Sequence, residues 1–184
     1  MSNKAFGFKI TVVGDGAVGK TSLIKRYTTN TFEKDYISTL GMQFSRYEEI
    51  IQGEMVELFL WDLAGQDSFT SLRQKFYQGS SGAIIVFSLA PEEIETYHNI
   101  DKWLSNIKDA CGRIPLVLLG NKADLVDQNA LATSSNYETS DVHVKQFAQD
   151  HNIMEYYRTS ALTGQGVKEA FQSLVKKLYQ RATL

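Results

Sequence analysis

Apolar, strand-like runs alternate with stretches of helical periodicity along this chain, and few architectures accept that pattern. Phe8-Lys9-Ile10-Thr11-Val12-Val13 reads as a buried strand cut off by Gly14, and residues 19–28 then read as a helix. Two β-rich stretches follow, at 41–51 and 54–62, joined by the turn-forming Gln52-Gly53, so a hairpin is predicted there. Further apolar runs lie at 83–87, 116–119 and 153–157, with helical patterns over 91–111, 141–150 and 165–181. In the first of these helices Pro91 opens the segment, Glu92 and Glu93 suit its positive end, and Gly112 closes it. Its stripe of Ile94, Tyr97, Trp103, Leu104, Ile107 and Cys111 reads as core. Continuous apolar strands alternating with helices predict an α/β fold with a mostly parallel sheet, helices on both faces, and the hairpin as an antiparallel edge. Residues 127–140 are polar and aperiodic and read as a surface loop.

A chain of 184 residues suits one domain, here 1–184. It has no apolar run of about 18 residues, so no membrane span is expected. Nineteen basic against 21 acidic residues exclude the basic footprint that nucleic acid would need. The N-terminus lacks a secretory layout, and Ser2 stands where N-myristoylation requires glycine. One cysteine, Cys111, cannot form an internal disulfide; it reads as an inert thiol rather than a reactive one, in a cytoplasmic protein.

Gly14-Asp15-Gly16-Ala17-Val18-Gly19-Lys20-Thr21 matches G-x-x-x-x-G-K-[ST] and sits between a predicted strand and a predicted helix, the context this motif requires. A loop with three glycines can wrap around phosphates, aiming N–H groups and the next helix's N-terminus at negative charge. Lys20 supplies a compact cation to the β- and γ-phosphates, and the Thr21 hydroxyl is a hard oxygen ligand for Mg²⁺. Ser22 completes the segment. By itself this motif specifies only a nucleotide-binding loop.

Asn121-Lys122-Ala123-Asp124 follows the strand ending near residue 120, about 100 residues beyond the loop. The Asp124 carboxylate can accept two hydrogen bonds from guanine N1–H and its 2-amino group, a donor pair that adenine lacks. The element resembles the N-K-x-D sequence of the Ras superfamily, and with it the whole chain from about 7 to 180 resembles a P-loop GTPase, or G domain, most similar to the Rab branch. That resemblance implies a six-stranded, mostly parallel sheet and a GTP-binding switch. It implies slow intrinsic Mg²⁺-dependent hydrolysis of GTP to GDP and phosphate, in signalling or vesicle trafficking.

The resemblance also assigns residues. Asn121 would brace the phosphate and base loops, and the Lys122 stem would cover one face of the ring. Thr159-Ser160-Ala161-Leu162 follows the last strand, where Ser160, Ala161 and Leu162 present a backbone N–H to guanine O6; leucine replaces a common lysine. Phe32 matches an aromatic that stacks on guanine, or is a core phenylalanine. Thr39 would offer its hydroxyl to Mg²⁺ and its N–H to the γ-phosphate, with Tyr36 beside it. In Trp61-Asp62-Leu63-Ala64-Gly65-Gln66-Asp67, similar to W-D-T-A-G-Q-E, Asp62 would hold Mg²⁺ through water. Gly65 would sense the γ-phosphate, and Gln66 would orient the attacking water. Catalysis thus falls to Gln66, Lys20 and Thr39, with Thr21, Thr39 and Asp62 at the metal. Asp67 replaces the usual glutamate, and Gly16 leaves room for the transition state.

Partners follow from the same resemblance: effector proteins around Phe44, Trp61 and Tyr77, unless these aromatics are only core, plus an exchange factor and an activating protein. The absence of arginine at Tyr36, Ile37 and Ser38 implies that an arginine finger comes in trans. A monomer is expected, with no prenylation box at Gln180-Arg181-Ala182-Thr183-Leu184 and membrane association only through a tail beyond this chain. Two other readings stay open: a GTP-locked, non-hydrolysing interaction module, and another P-loop enzyme such as a nucleotide kinase, which would have no use for residues 121–124.

Overall fold

The computed structural model describes residues 6–32, 41–64, 75–133 and 137–184. Six strands form one sheet: β1 (Phe6–Val13), β2 (Met42–Ile51), β3 (Glu54–Leu63), β4 (Gly82–Ser88), β5 (Leu116–Asn121) and β6 (Glu155–Arg158), in the order β2-β3-β1-β4-β5-β6. All neighbouring pairs are parallel except β2 with β3, which makes β2 the antiparallel edge. Gln52 and Gly53 both have positive φ, 51° and 84°, the twist that a two-residue hairpin loop needs.

Helices cover both faces. They are α1 (Lys20–Thr29), α2 (Glu95–His98), α3 (Ile100–Cys111), α4 (Gln128–Thr133), α5 (Asp141–Asp150) and α6 (Val167–Thr183), with residues 75–77 also helical. Alternate strand residues point to opposite faces. Ile10, Val12, Ile84 and Val86 therefore join Leu23 of α1 and Phe171 of α6 in one core. Val13, Ala83, Ile85 and Phe87 join Trp103 of α3 and Val144 of α5 in the other. Every residue of β4 and β5 is buried, which is why these strands read as unbroken apolar runs.

Two sequence expectations change. The helix predicted over 91–111 is broken into a 3-10 turn (Pro91–Glu93), α2 and α3, with Asn99 ending one helix and opening the next. The polar stretch 127–140 carries α4, which starts where Asp127 Oδ1 accepts from the N–H groups of Asn129 (3.0 Å) and Ala130 (3.2 Å) and which buries Leu131. A six-residue helix with one core contact leaves too short a periodicity to detect.

Candidate nucleotide-binding site

β1 delivers the chain to the glycine-rich loop at the carboxyl edge of the sheet, where open α/β sheets place their ligand crevices. Two glycines are required by space. At Gly14, with φ +142°, a Cβ would lie 2.1 Å from the Val86 carbonyl oxygen; at Gly19, with φ +98°, it would lie 2.3 Å from Asn121 Nδ2. Gly16 and Ala17 are exposed, Val18 is buried, and a Cβ on Gly16 would meet nothing within 4 Å. Lys20 is buried, and its ammonium crosses the loop to donate to the carbonyls of Gly14 at 2.8 Å and Asp15 at 2.6 Å. Ser22 follows half-buried in the first turn of α1. The Asp15 carboxylate accepts from Asn99 and Trp103.

The Thr21 hydroxyl donates to Asp62 Oδ2, joining the first turn of α1 to the end of β3. Asp62 is 3% exposed and pairs in register with Val12, one residue before the end of β1. Two hard oxygen donors thus converge beside the phosphate loop, a set that suits Mg²⁺ rather than a soft metal.

The base end assembles at the tips of β5 and β6. Asn121, 2% exposed, donates through Nδ2 to the Val18 carbonyl at 2.8 Å. Its Oδ1 accepts from the Ala161 N–H at 3.2 Å and the Thr159 hydroxyl at 3.3 Å. Ser160 Oγ donates to Asp124 Oδ1 at 2.5 Å and accepts the Thr163 N–H at 3.1 Å. Asp124 and Leu162 are exposed, while Ala161 is buried. Lys122 is left-handed, φ 65°, and its ammonium donates to both carboxylate oxygens of Glu93, at 2.8 and 2.7 Å. Burial alone would raise the Glu93 carboxyl, but hydrogen bonds from Lys122 and Ser88 hold it below the usual carboxylate range.

Sequence reasoning missed Arg26 altogether and read Glu93 only as a helix-opening acid, not as the partner of Lys122. Arg26, on α1, donates through Nε to the Ala161 carbonyl at 2.7 Å and through Nη2 to the Leu162 carbonyl at 2.6 Å. Partners 135 and 136 residues away leave no local trace.

The Ras family profile matches residues 9–180. This chain belongs to the Ras family. Over 172 residues it is 36% identical to Ras-related protein Rab-11B of Dictyostelium discoideum, which covers 93% of this chain and 73% of that protein. It is a Rab-like GTPase of the Ras superfamily, a GTP phosphohydrolase, with the G-domain fold. Among its described residues no helix is long and apolar enough to cross a membrane.

Tyr36, Thr39, Gly65 and Gln66 of this GTPase, expected at the γ-phosphate, lie outside the described residues. Phe32, just beyond α1, is half-buried and packs on the core that α1 and α6 share.

One site expectation is corrected. Phe44 is 48% exposed and meets Trp61 edge-on at 5.8 Å, with Lys9 Nζ 4.1 Å over the Trp61 ring, but Tyr77 is only 1% exposed. Phe76, not Tyr77, flanks Trp61, at 6.1 Å. Successive positions on a helical turn face about 100° apart, and here that rotation turns Tyr77 into the core while Phe76 stays half-buried beside Trp61. The Tyr77 carbonyl is also fixed inward, accepting from Ser80 Oγ at 2.6 Å and Cys111 Sγ at 2.9 Å.

Proposed function

We propose that this GTPase is a molecular switch that binds GTP and GDP with Mg²⁺ and hydrolyses GTP slowly on its own. The observation that carries this reading is the side chain of Asn121, which ties the phosphate loop at Val18 to the base loop at Ala161. A site wired in this way fixes the distance between phosphate and base, and so suits a purine nucleotide held at both ends. Asp124, oriented by Ser160, would accept the N1–H and 2-amino hydrogens of guanine. A backbone N–H of the 160–162 turn would face O6, Leu162 and the Lys122 stem would border the ring, and Phe32 would shield its edge.

Gly14, Asp15, Gly16, Ala17, Val18, Gly19, Lys20, Thr21 and Ser22 would bind the phosphates through backbone N–H groups and the Lys20 ammonium. Thr21, Thr39 and Asp62 would hold Mg²⁺, which supplies charge neutralisation at the β- and γ-phosphates. Tyr36, Thr39 and Gly65 would contact the γ-phosphate, and Gln66 would orient the attacking water. Phosphoryl transfer needs little acid–base help, so positioning and charge supply most of the rate.

Loss of the γ-phosphate would release the segments around Thr39 and Gly65 and change the surface at 40–46 and 61–80, where effectors read the state. An exchange factor and an activating protein would set its timing, in a cytoplasmic monomer made of one G domain acting in signalling or trafficking.

Single-turnover phosphate release tests this, comparing wild type with Gln66→Leu and GTP with ATP. Slow hydrolysis of GTP, none of ATP, and a sharp fall in the variant are expected. GTP binding without hydrolysis in either protein would favour a GTP-locked interaction module.

A further inference from the structure

The loop that would cradle a polyanion contains an acid. Asp15 is the one acidic residue in 14–21, and a carboxylate free to swing among phosphates would repel them. Its two oxygens are instead held apart from the loop. Asn99 Nδ2 donates to Oδ2 at 2.6 Å, and Trp103 Nε1 donates to Oδ1 at 2.8 Å. Meanwhile its main-chain carbonyl turns to the Lys20 ammonium at 2.6 Å.

The two donors come from the junction of α2 and α3, one helical turn apart, a spacing that puts both on one face. Asparagine is among the best helix N-caps, yet the Asn99 side chain makes no cap bond to α3; it reaches 84 residues back to Asp15. Trp103 is 1% exposed, so its indole is fixed by the core and its N–H needs an acceptor, which Asp15 provides. The break in the helix at Asn99 is what aims both donors at one carboxylate.

We infer that Asn99 and Trp103 are positioning residues for nucleotide retention, holding the Asp15 carboxylate away from the phosphates. This rests on the reading that the loop binds a guanine nucleotide. Two neutral donors satisfy the carboxylate, and the first turn of α3 is thereby coupled to the loop.

The test is a double-mutant cycle on the rate of fluorescent GDP release. Asn99→Ala and Trp103→Phe should each speed release about ten-fold, equivalent to about 1.4 kcal/mol. In an Asp15→Ala background each effect should shrink below about two-fold, since no carboxylate remains to be restrained. Trp103→Phe keeps a buried ring and deletes only the donor, so the cycle can be read even where Asn99→Ala does not fold. Equal acceleration in both backgrounds, or none from either single variant, would overturn the inference while leaving the guanine site standing. A wild-type protein that retains no guanine nucleotide would overturn both.

Discussion

Asn121 Nδ2 lies 2.8 Å from the Val18 carbonyl oxygen, and this bond spans 103 residues of sequence. It joins the end of β5 to the phosphate loop, while the same amide's oxygen accepts from Ala161. Both contacts are buried. Truncating the side chain strands groups that water cannot reach, at about 1–3 kcal/mol each. Asn121→Ala should therefore lose about 2–3 kcal/mol in urea unfolding and weaken GDP binding by roughly 100-fold. Affinity within two-fold of wild type would show that the brace is dispensable.

Gly19 and Asn121 share the same space. A methyl on Gly19 would sit 2.3 Å from Asn121 Nδ2 on a backbone at φ +98°. Strain and displacement together put the cost of Gly19→Ala at about 2–4 kcal/mol. Gly16→Ala, with nothing within 4 Å of its Cβ, should change folding stability by less than about 0.5 kcal/mol. Thermal unfolding of the pair separates the two sites, and equal melting temperatures would contradict the geometry.

His98 contacts Glu138 at 2.6 Å and Glu95 at 3.6 Å, which ties α2 to the segment after α4. The Glu138 hydrogen bond raises the His98 pKa above the ordinary imidazole value of 6.5. Because the folded value is raised, the pair's stabilisation is complete below 6.5 and is lost as pH climbs through the raised value. NMR titration of His98 should show a raised midpoint that falls toward the ordinary value in Glu138→Gln. An unmoved midpoint would assign the shift elsewhere.

Phe171 is fully buried and stacks on Tyr27 with ring centroids 4.4 Å apart at 19°, locking α6 to α1. Phe171→Ala should cost about 3–5 kcal/mol in urea unfolding. A loss under about 1 kcal/mol would mean that the neighbours collapse into the space.

Much of this protein could be read locally. The hairpin at Gln52-Gly53, the strand ahead of Gly14 and the helix at 141–150 stand within a residue or two of where their patterns place them. Those signals are short-range: two-residue alternation, turn chemistry, and an apolar stripe of helical period. The helix inside 127–140 was too short to show a period, and elsewhere the deciding contact lay far off. The helix over 91–111 breaks at Asn99, whose side chain bonds the distant Asp15, and nothing in its own neighbourhood announces that. Tyr77 and Phe76 are both aromatic, and only the core decides which one turns inward.

The motifs at 14–21 and 121–124 determined by themselves that this chain carries the elements of a GTPase, because phosphate and base recognition demand fixed residue types at fixed spacing. Tertiary structure alone decided how the elements are held. Arg26 grips the Ala161 and Leu162 carbonyls, Glu93 takes the Lys122 ammonium, and Asn99 and Trp103 take Asp15. Each partner arrives from another element through the strand order of the sheet, and a hydrogen bond depends on distance in space rather than on separation along the chain.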